Sequence, residues 1–131
     1  METQIFINLS VDDLARAEKF YTGMGWTKIV PFSNEVGTCI KISNTIYVML
    51  LLPSFFQEFT PKKIADAHSV SEALLGLSAN SKQEVDELME KAIVLGGKET
   101  RPPQDHGFMY GRDFEDPDGH IWELFWMQQP A

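Results

Sequence analysis

The stretch Arg112–Met127, RDFEDPDGHIWELFWM, decides how this chain is read. Asp116-Pro117-Asp118-Gly119 has the residues of a type I turn: Asp at the first position, Pro presetting φ at the second, Gly at the fourth. The flanking runs Phe108–Glu115 and His120–Met127 are therefore expected to pair as a hairpin. Alternation along the second strand sends Ile121, Glu123 and Phe125 to one face, and His120, Trp122, Leu124 and Trp126 to the other. Both faces are largely apolar, so burial on both sides is expected. Glu123 then stands where a carboxylate is rarely tolerated unless paired or metal-bound.

Upstream of the hairpin the pattern repeats. Thr3–Leu9 alternates as a strand. Asp12 is expected to cap a helix with an apolar stripe of Leu14, Ala17, Phe20, Tyr21 and Met24, stopped by Gly23 and Gly25. Three strands follow, Trp26–Val30, Val36–Ile42 and Ile46–Leu52, with turns at Ser33-Asn34 and Ser43-Asn44. In the second half, Glu72–Ala79 reads as a strand and Ser81-Lys82-Gln83-Glu84 as a capping box. Val85, Leu88, Met89, Ala92 and Leu95 form that helix's stripe, and Gly96-Gly97 ends it before a short strand at Lys98–Thr100. Leu9-Ser10 recurs as Leu77-Ser78, 68 residues on. The expected organisation is a single α+β domain over 1–131, built of two tandem βαβββ units at about 3–52 and 72–127. In the connector 53–71, Phe55, Phe56 and Phe59 either dock on the core or cover a pocket as a lid.

Composition narrows the function. A length of 131 residues supports one real core. A net charge of −8 disfavours nucleic acid and anionic membrane as partners. Cys39 is alone and cannot form an intramolecular disulfide, which fits a reducing cytoplasm. The N-terminus lacks the basic and apolar regions of a signal peptide, and Ile46–Pro53 is too short to span a bilayer. A soluble cytoplasmic protein is expected.

The opening FINLSVDDLARAEKFYTGMGW, the closing GRDFEDPDGHIWEL and the two βαβββ units together resemble the vicinal oxygen chelate superfamily, over essentially the whole chain. That group contains glyoxalase I, the bleomycin- and fosfomycin-resistance proteins and the extradiol dioxygenases. The resemblance implies strands curled into an open barrel enclosing a cleft, and homodimers. It also implies one divalent metal held by His or Glu on four strands, acting as a Lewis acid on neighbouring substrate oxygens. Carried onto this chain, the metal positions fall at Phe6, five residues before Val11, at Leu74, five before Ala79, at or near Met49, and at Glu123. Only Glu123 is a metal-binding type, and catalytic sites normally use about three protein ligands. No cofactor is expected, and a divalent metal is disfavoured.

By parity, one face holds Gln4, Phe6 and Asn8, then Tyr47, Met49 and Leu51, then Glu72, Leu74 and Gly76, then Ile121, Glu123 and Phe125. That mixture suits a small-molecule pocket, and equally a filled barrel core. Three roles fit Glu123: an acid paired with Arg101 or Arg112 or hydrogen-bonded internally, a ligand anchor or general base, and a metal ligand with unconventional partners. His106, in a Gly-punctuated run, is a candidate proton-transfer group, and Tyr110 and Arg112 are candidate donors to an anionic ligand. His68, His120 and Cys39 carry weaker signals. Two function classes follow. One is a metal-independent protein binding a small organic ligand through Phe6, Asn8, Tyr47, Met49, Leu74, Tyr110, Arg112 and Glu123. The other is a lyase, isomerase or dioxygenase of the same superfamily (lactoylglutathione-lyase-like), using Glu123 with His106 or another group.

Overall fold

A computed structural model describes residues 2–129; positions 1, 130 and 131 of the expected domain lie outside the described residues. The fold is mixed α+β, with two sheets and three helices among the described residues. It separates into two compact units, Met1–Asp66 and Ala67–Ala131.

The first unit runs β1 (Ile5–Ser10), α1 (Leu14–Gly23), β2 (Thr27–Lys28), β3 (Gly37–Ser43), β4 (Ile46–Leu51) and a helical turn, α2 (Pro53–Phe56). Its sheet order is β1-β4-β3-β2, with β1 parallel to β4 and the other pairs antiparallel. Asp13, not Asp12, caps α1: its side chain accepts from Arg16 N at 3.0 Å while its own backbone is extended. The cap belongs to the last extended residue, one position later than the first Asp suggests. Ala17, Phe20, Tyr21 and Met24 of α1, which packs on β3 and β4, are buried together with Leu9, Ile40, Val48 and Leu50 as this unit's core. Glu18 leaves the same helix to meet Lys28 Nζ and Thr38 Oγ1, each at 2.9 Å.

The strand expected over Trp26–Val30 is only two residues long. Pro31 supplies no N–H to a ladder, and Val30–Phe32 turns instead as a 3-10 helix. Asn34 Oδ1 then accepts from the backbone N–H groups of Val36 and Gly37 and starts β3. In the connector, Pro53 opens α2, and a Cβ on Gly37 would lie 3.7 Å from Phe55 Cδ2, so Phe55 is docked over that glycine. Phe59 is exposed.

The second unit runs β5 (Leu74–Ser78), α3 (Lys82–Val94), β6 (Lys98–Glu99), β7 (Gln104–Asp105), β8 (Met109–Glu115) and β9 (Ile121–Met127). Sheet order is β5-β9-β8-β6, with β5 parallel to β9 and the short, unanticipated β7 paired to β8. Ser81 accepts from Glu84 N at 3.0 Å as the capping box requires, while the Glu84 carboxylate takes Asn80 Nδ2. Gly96 N bonds Ile93 O and Gly97 N bonds Ala92 O, a Schellman stop. Val85, Met89 and Ala92 bury against Phe114, Trp122 and Leu124. Among the described residues both sheets are open, and no helix is long and apolar enough to cross a membrane.

The Asp116–Gly119 turn forms as expected. Gly119 N donates to Asp116 O, and Asp116 Oδ1 accepts from Asp118 N and His120 N, each at 2.9 Å. Gly119 has φ +94°, and a Cβ there would lie 2.7–2.8 Å from the backbone of Ala67 and His68. Gly119→Ala therefore meets both a left-handed backbone and a backbone wall, and should cost about 2–4 kcal/mol. Urea unfolding monitored by tryptophan fluorescence checks this; a midpoint unchanged from wild type would contradict it.

Candidate functional site

The turn sets the register of the last two strands. Asp113 faces Glu123, Arg112 faces Leu124 and Tyr110 faces Trp126. Odd-numbered side chains of β8 and β9 therefore share the face away from α3, and even-numbered ones lie beneath the helix.

On the odd face, Arg101 joins two carboxylates. Its Nε donates to Asp113 Oδ2, and its guanidinium Nη2 stands 3.9 Å from Glu123 Oε2. Asp113 is buried, whereas Arg101 is 52% exposed. Glu123 is 34% exposed, so the burial expected on both sides of β9 is found on one only. Trp122 and Leu124 fill the helix side, while Ile121, Glu123 and Phe125 remain half-buried. The cation beside Glu123 is Arg101 rather than Arg112.

On the other side of Glu123, across the β5–β9 ladder, stands Gly76. It offers no side chain, and an added Cβ would lie 3.5 Å from Phe125 Cε1 and 4.0 Å from Glu123 Oε1. Leu74, on the same face, is 57% exposed. In the first unit the equivalent open face carries Phe6, 45% exposed, stacked on Tyr47 with ring centres 4.6 Å apart. Asn8 pairs with Met49 in the ladder, and its Nδ2 reaches Phe6 O at 3.3 Å.

Tyr110 and Arg112 are not part of the Glu123 face. The Tyr110 hydroxyl donates to Asp86 Oδ1 at 2.7 Å, and Arg112 Nη1 reaches the same oxygen at 3.0 Å. Arg112 Nε and Nη2 grip Glu99 at 3.0 and 3.1 Å. These bonds tie β8 to α3 and β6, and they occupy the donors expected to receive a ligand. The Tyr110 hydroxyl, then Arg112, hold Asp86 below the usual carboxylate range. Burial, then Asp86, raises Tyr110, and Glu99 chiefly raises Arg112. His106 is exposed in the turn before β8, its backbone N–H bonded to Met109 O. The ladder places Met109 four residues from Asp113, about 13 Å of strand. His106 and Glu123 are thus not brought together. Burial pushes the Cys39 thiol up, away from nucleophilic use.

The positions to which the resemblance assigns a metal hold a phenyl ring, a thioether, an isobutyl group and one carboxylate that already faces Arg101. This donor set does not fit a hard divalent cation. Among the described residues no cluster of three or more His, Cys, Asp or Glu could hold a metal ion. The sequence pattern does not single out Asp113, although the turn makes it Glu123's cross-strand neighbour.

Residues 4–124 match the family described as Glyoxalase/Bleomycin resistance protein/Dioxygenase superfamily. Similar solved structures include a hypothetical protein of S. aureus, 26% identical with a TM-score of 0.80, the match covering 95% of this chain and 94% of that one. A glyoxalase-related enzyme from Fulvimarina pelagi is 26% identical with a TM-score of 0.80, over 96% of this chain and 88% of that one. The fosfomycin resistance protein FosX from Mesorhizobium loti, at 19% identity and a TM-score of 0.69 over 100% and 95%, shares the fold. No curated protein shows significant similarity to the chain.

The Asp86–Tyr110–Arg112 network has a pH signature. Asp86 is depressed in the folded state, so its contribution is present above the unfolded carboxylate value and is lost as pH falls through the folded one. Asp86→Asn should therefore lower stability at pH 7 and flatten its decline between about pH 5 and 2, as urea midpoints across that range will show.

Proposed function

The chain belongs to the Glyoxalase/Bleomycin resistance protein/Dioxygenase superfamily, and we propose that within it this protein binds a small organic ligand without a divalent metal. The observation supporting this is the donor set: Phe6, Met49 and Leu74 stand where the resemblance calls for metal ligands. The same substitutions favour a different use of the surface. Each unit has an open sheet face, with Phe6 and Tyr47 on the first and Leu74, Ile121 and Phe125 on the second. Such faces, with a few polar points, offer apolar area and a small number of orienting contacts. Glu123 is the ligand anchor in this reading, held against Arg101, which Asp113 steadies from the other side. A tandem βαβββ organisation is part of the proposal, supported by sheets that each set their first and last strands side by side in parallel. Homodimer formation and a cytoplasmic location belong to it too, on the family likeness and the acidic, single-cysteine composition.

Two measurements test this. In a thermal-shift screen of small aromatic and aliphatic compounds, binders should raise the melting temperature, with about 2.7 kcal/mol of stabilisation at about a hundred times Kd. Glu123→Gln should lose the shift while keeping its own melting temperature close to wild type. In parallel, calorimetric titration with nickel, zinc, iron(II) and manganese should show nothing tighter than about millimolar. Near-stoichiometric metal that disappears in Glu123→Gln would overturn the reading.

A further inference from the structure

Ligand binding by itself does not say what Glu123 holds; the geometry around Gly76 narrows it. We infer that Gly76 is the aperture of this site, and that the group seated over it against Glu123 Oε1 is a protonated amine on an apolar body. This rests on the proposed function and goes beyond it by naming a specificity-determining residue and a ligand class.

The two carboxylate oxygens of Glu123 have different surroundings. Oε2 faces the Arg101 guanidinium, and Oε1 lies on the Gly76 side, 4.0 Å from where a Cβ would stand. Gly76 has no conformational need to be glycine, since its φ lies outside the left-handed region. An added Cβ would make ordinary contacts, 3.5 Å from Phe125 Cε1 being the nearest. What the missing side chain provides is space. A group placed over the glycine touches a carboxylate oxygen and the edge of a phenyl ring together. Leu74 and Ile121, neighbours on the same face, extend the apolar wall.

Charge selects the group. Asp113, Glu115 and Glu123 carry three negative charges on this face against two positive on Arg101 and Lys98, in a chain of net charge −8. An anion would meet that surplus, whereas an ammonium relieves it and donates to Oε1 with a charge-assisted hydrogen bond. The carbon body then packs on Phe125 and Leu74. A β-branched residue at position 76 would suit a strand and close the space.

The test uses three probes with one phenyl body: 2-phenylethylamine, 2-phenylethanol and 3-phenylpropionate, titrated by amide NMR shifts at pH 7. The amine should bind at least about tenfold more tightly than either other probe, with shifts at Gly76, Glu123 and Phe125. Gly76→Val and Glu123→Gln should each weaken it at least about tenfold, roughly 1.4 kcal/mol. Urea unfolding of Gly76→Val should show wild-type stability or better; if that variant fails to fold, Gly76→Ala supplies the same readout with a smaller loss. Unchanged amine binding in a folded position-76 variant overturns the aperture while leaving the ligand-binding reading standing. Equal or tighter binding of the alcohol or carboxylate overturns the ligand class. Failure of all three to bind overturns this inference, and the broad compound screen judges the parent reading separately.

Discussion

The register of the β8–β9 hairpin governs most of what the second unit can do. It is set by a four-residue turn in which Asp116 accepts two backbone N–H groups and Gly119 takes a left-handed backbone that other residues resist. Shifting the pairing by one residue would exchange the faces of every side chain in the strand. Glu123 would then point into the helix layer, and Trp122 into the open. The connector backbone at Ala67 and His68, pressed on Gly119, adds a second lock to the same turn.

That register also sorts charge. β8 alternates Tyr110, Arg112 and Phe114 with Gly111, Asp113 and Glu115, so its ionic residues divide between the two faces of the sheet. Beneath α3, Arg112 gathers Asp86 and Glu99 into a half-buried network that joins helix, edge strand and hairpin. On the open side, Arg101 reaches from the β6–β7 loop to Asp113 and Glu123. The donors of Arg112 are taken up by two carboxylates, a structural use. Arg101 remains half in solvent and is the guanidinium beside the open carboxylate.

Much of this architecture is legible in the residues themselves. The hairpin, both longer helices, the Ser81 cap and the apolar stripes follow from local chemistry and periodicity, and the structure reproduces them, while the Glu84 carboxylate turns to Asn80 instead of closing the capping box. Asp113 is within reach of the same reasoning, because the pairing that sets Asp116 against His120 also sets Asp113 against Glu123. The same count separates Tyr110 and Arg112 from Glu123, a step that parity within one strand does not supply. Arg101 is a different matter. It sits in an irregular loop between short strands, where neither period nor turn type places a side chain. The half-exposure of Glu123 is likewise hidden, since apolar neighbours on both faces do not say which face another element covers.

The parallel pairing of first and last strands has a consequence for how each unit assembles. β4 and β9 lie inside their sheets, yet each is the final strand of its unit, and each joins a partner about 40 residues or more upstream. Closing so long a loop costs chain entropy that local hairpins and helix turns do not incur. On the ribosome, β5 emerges with no strand to pair with until Ile121–Met127 has been made. The unit's sheet therefore cannot close before Ile121–Met127 is available, and its edge strand β5 depends on that distant segment.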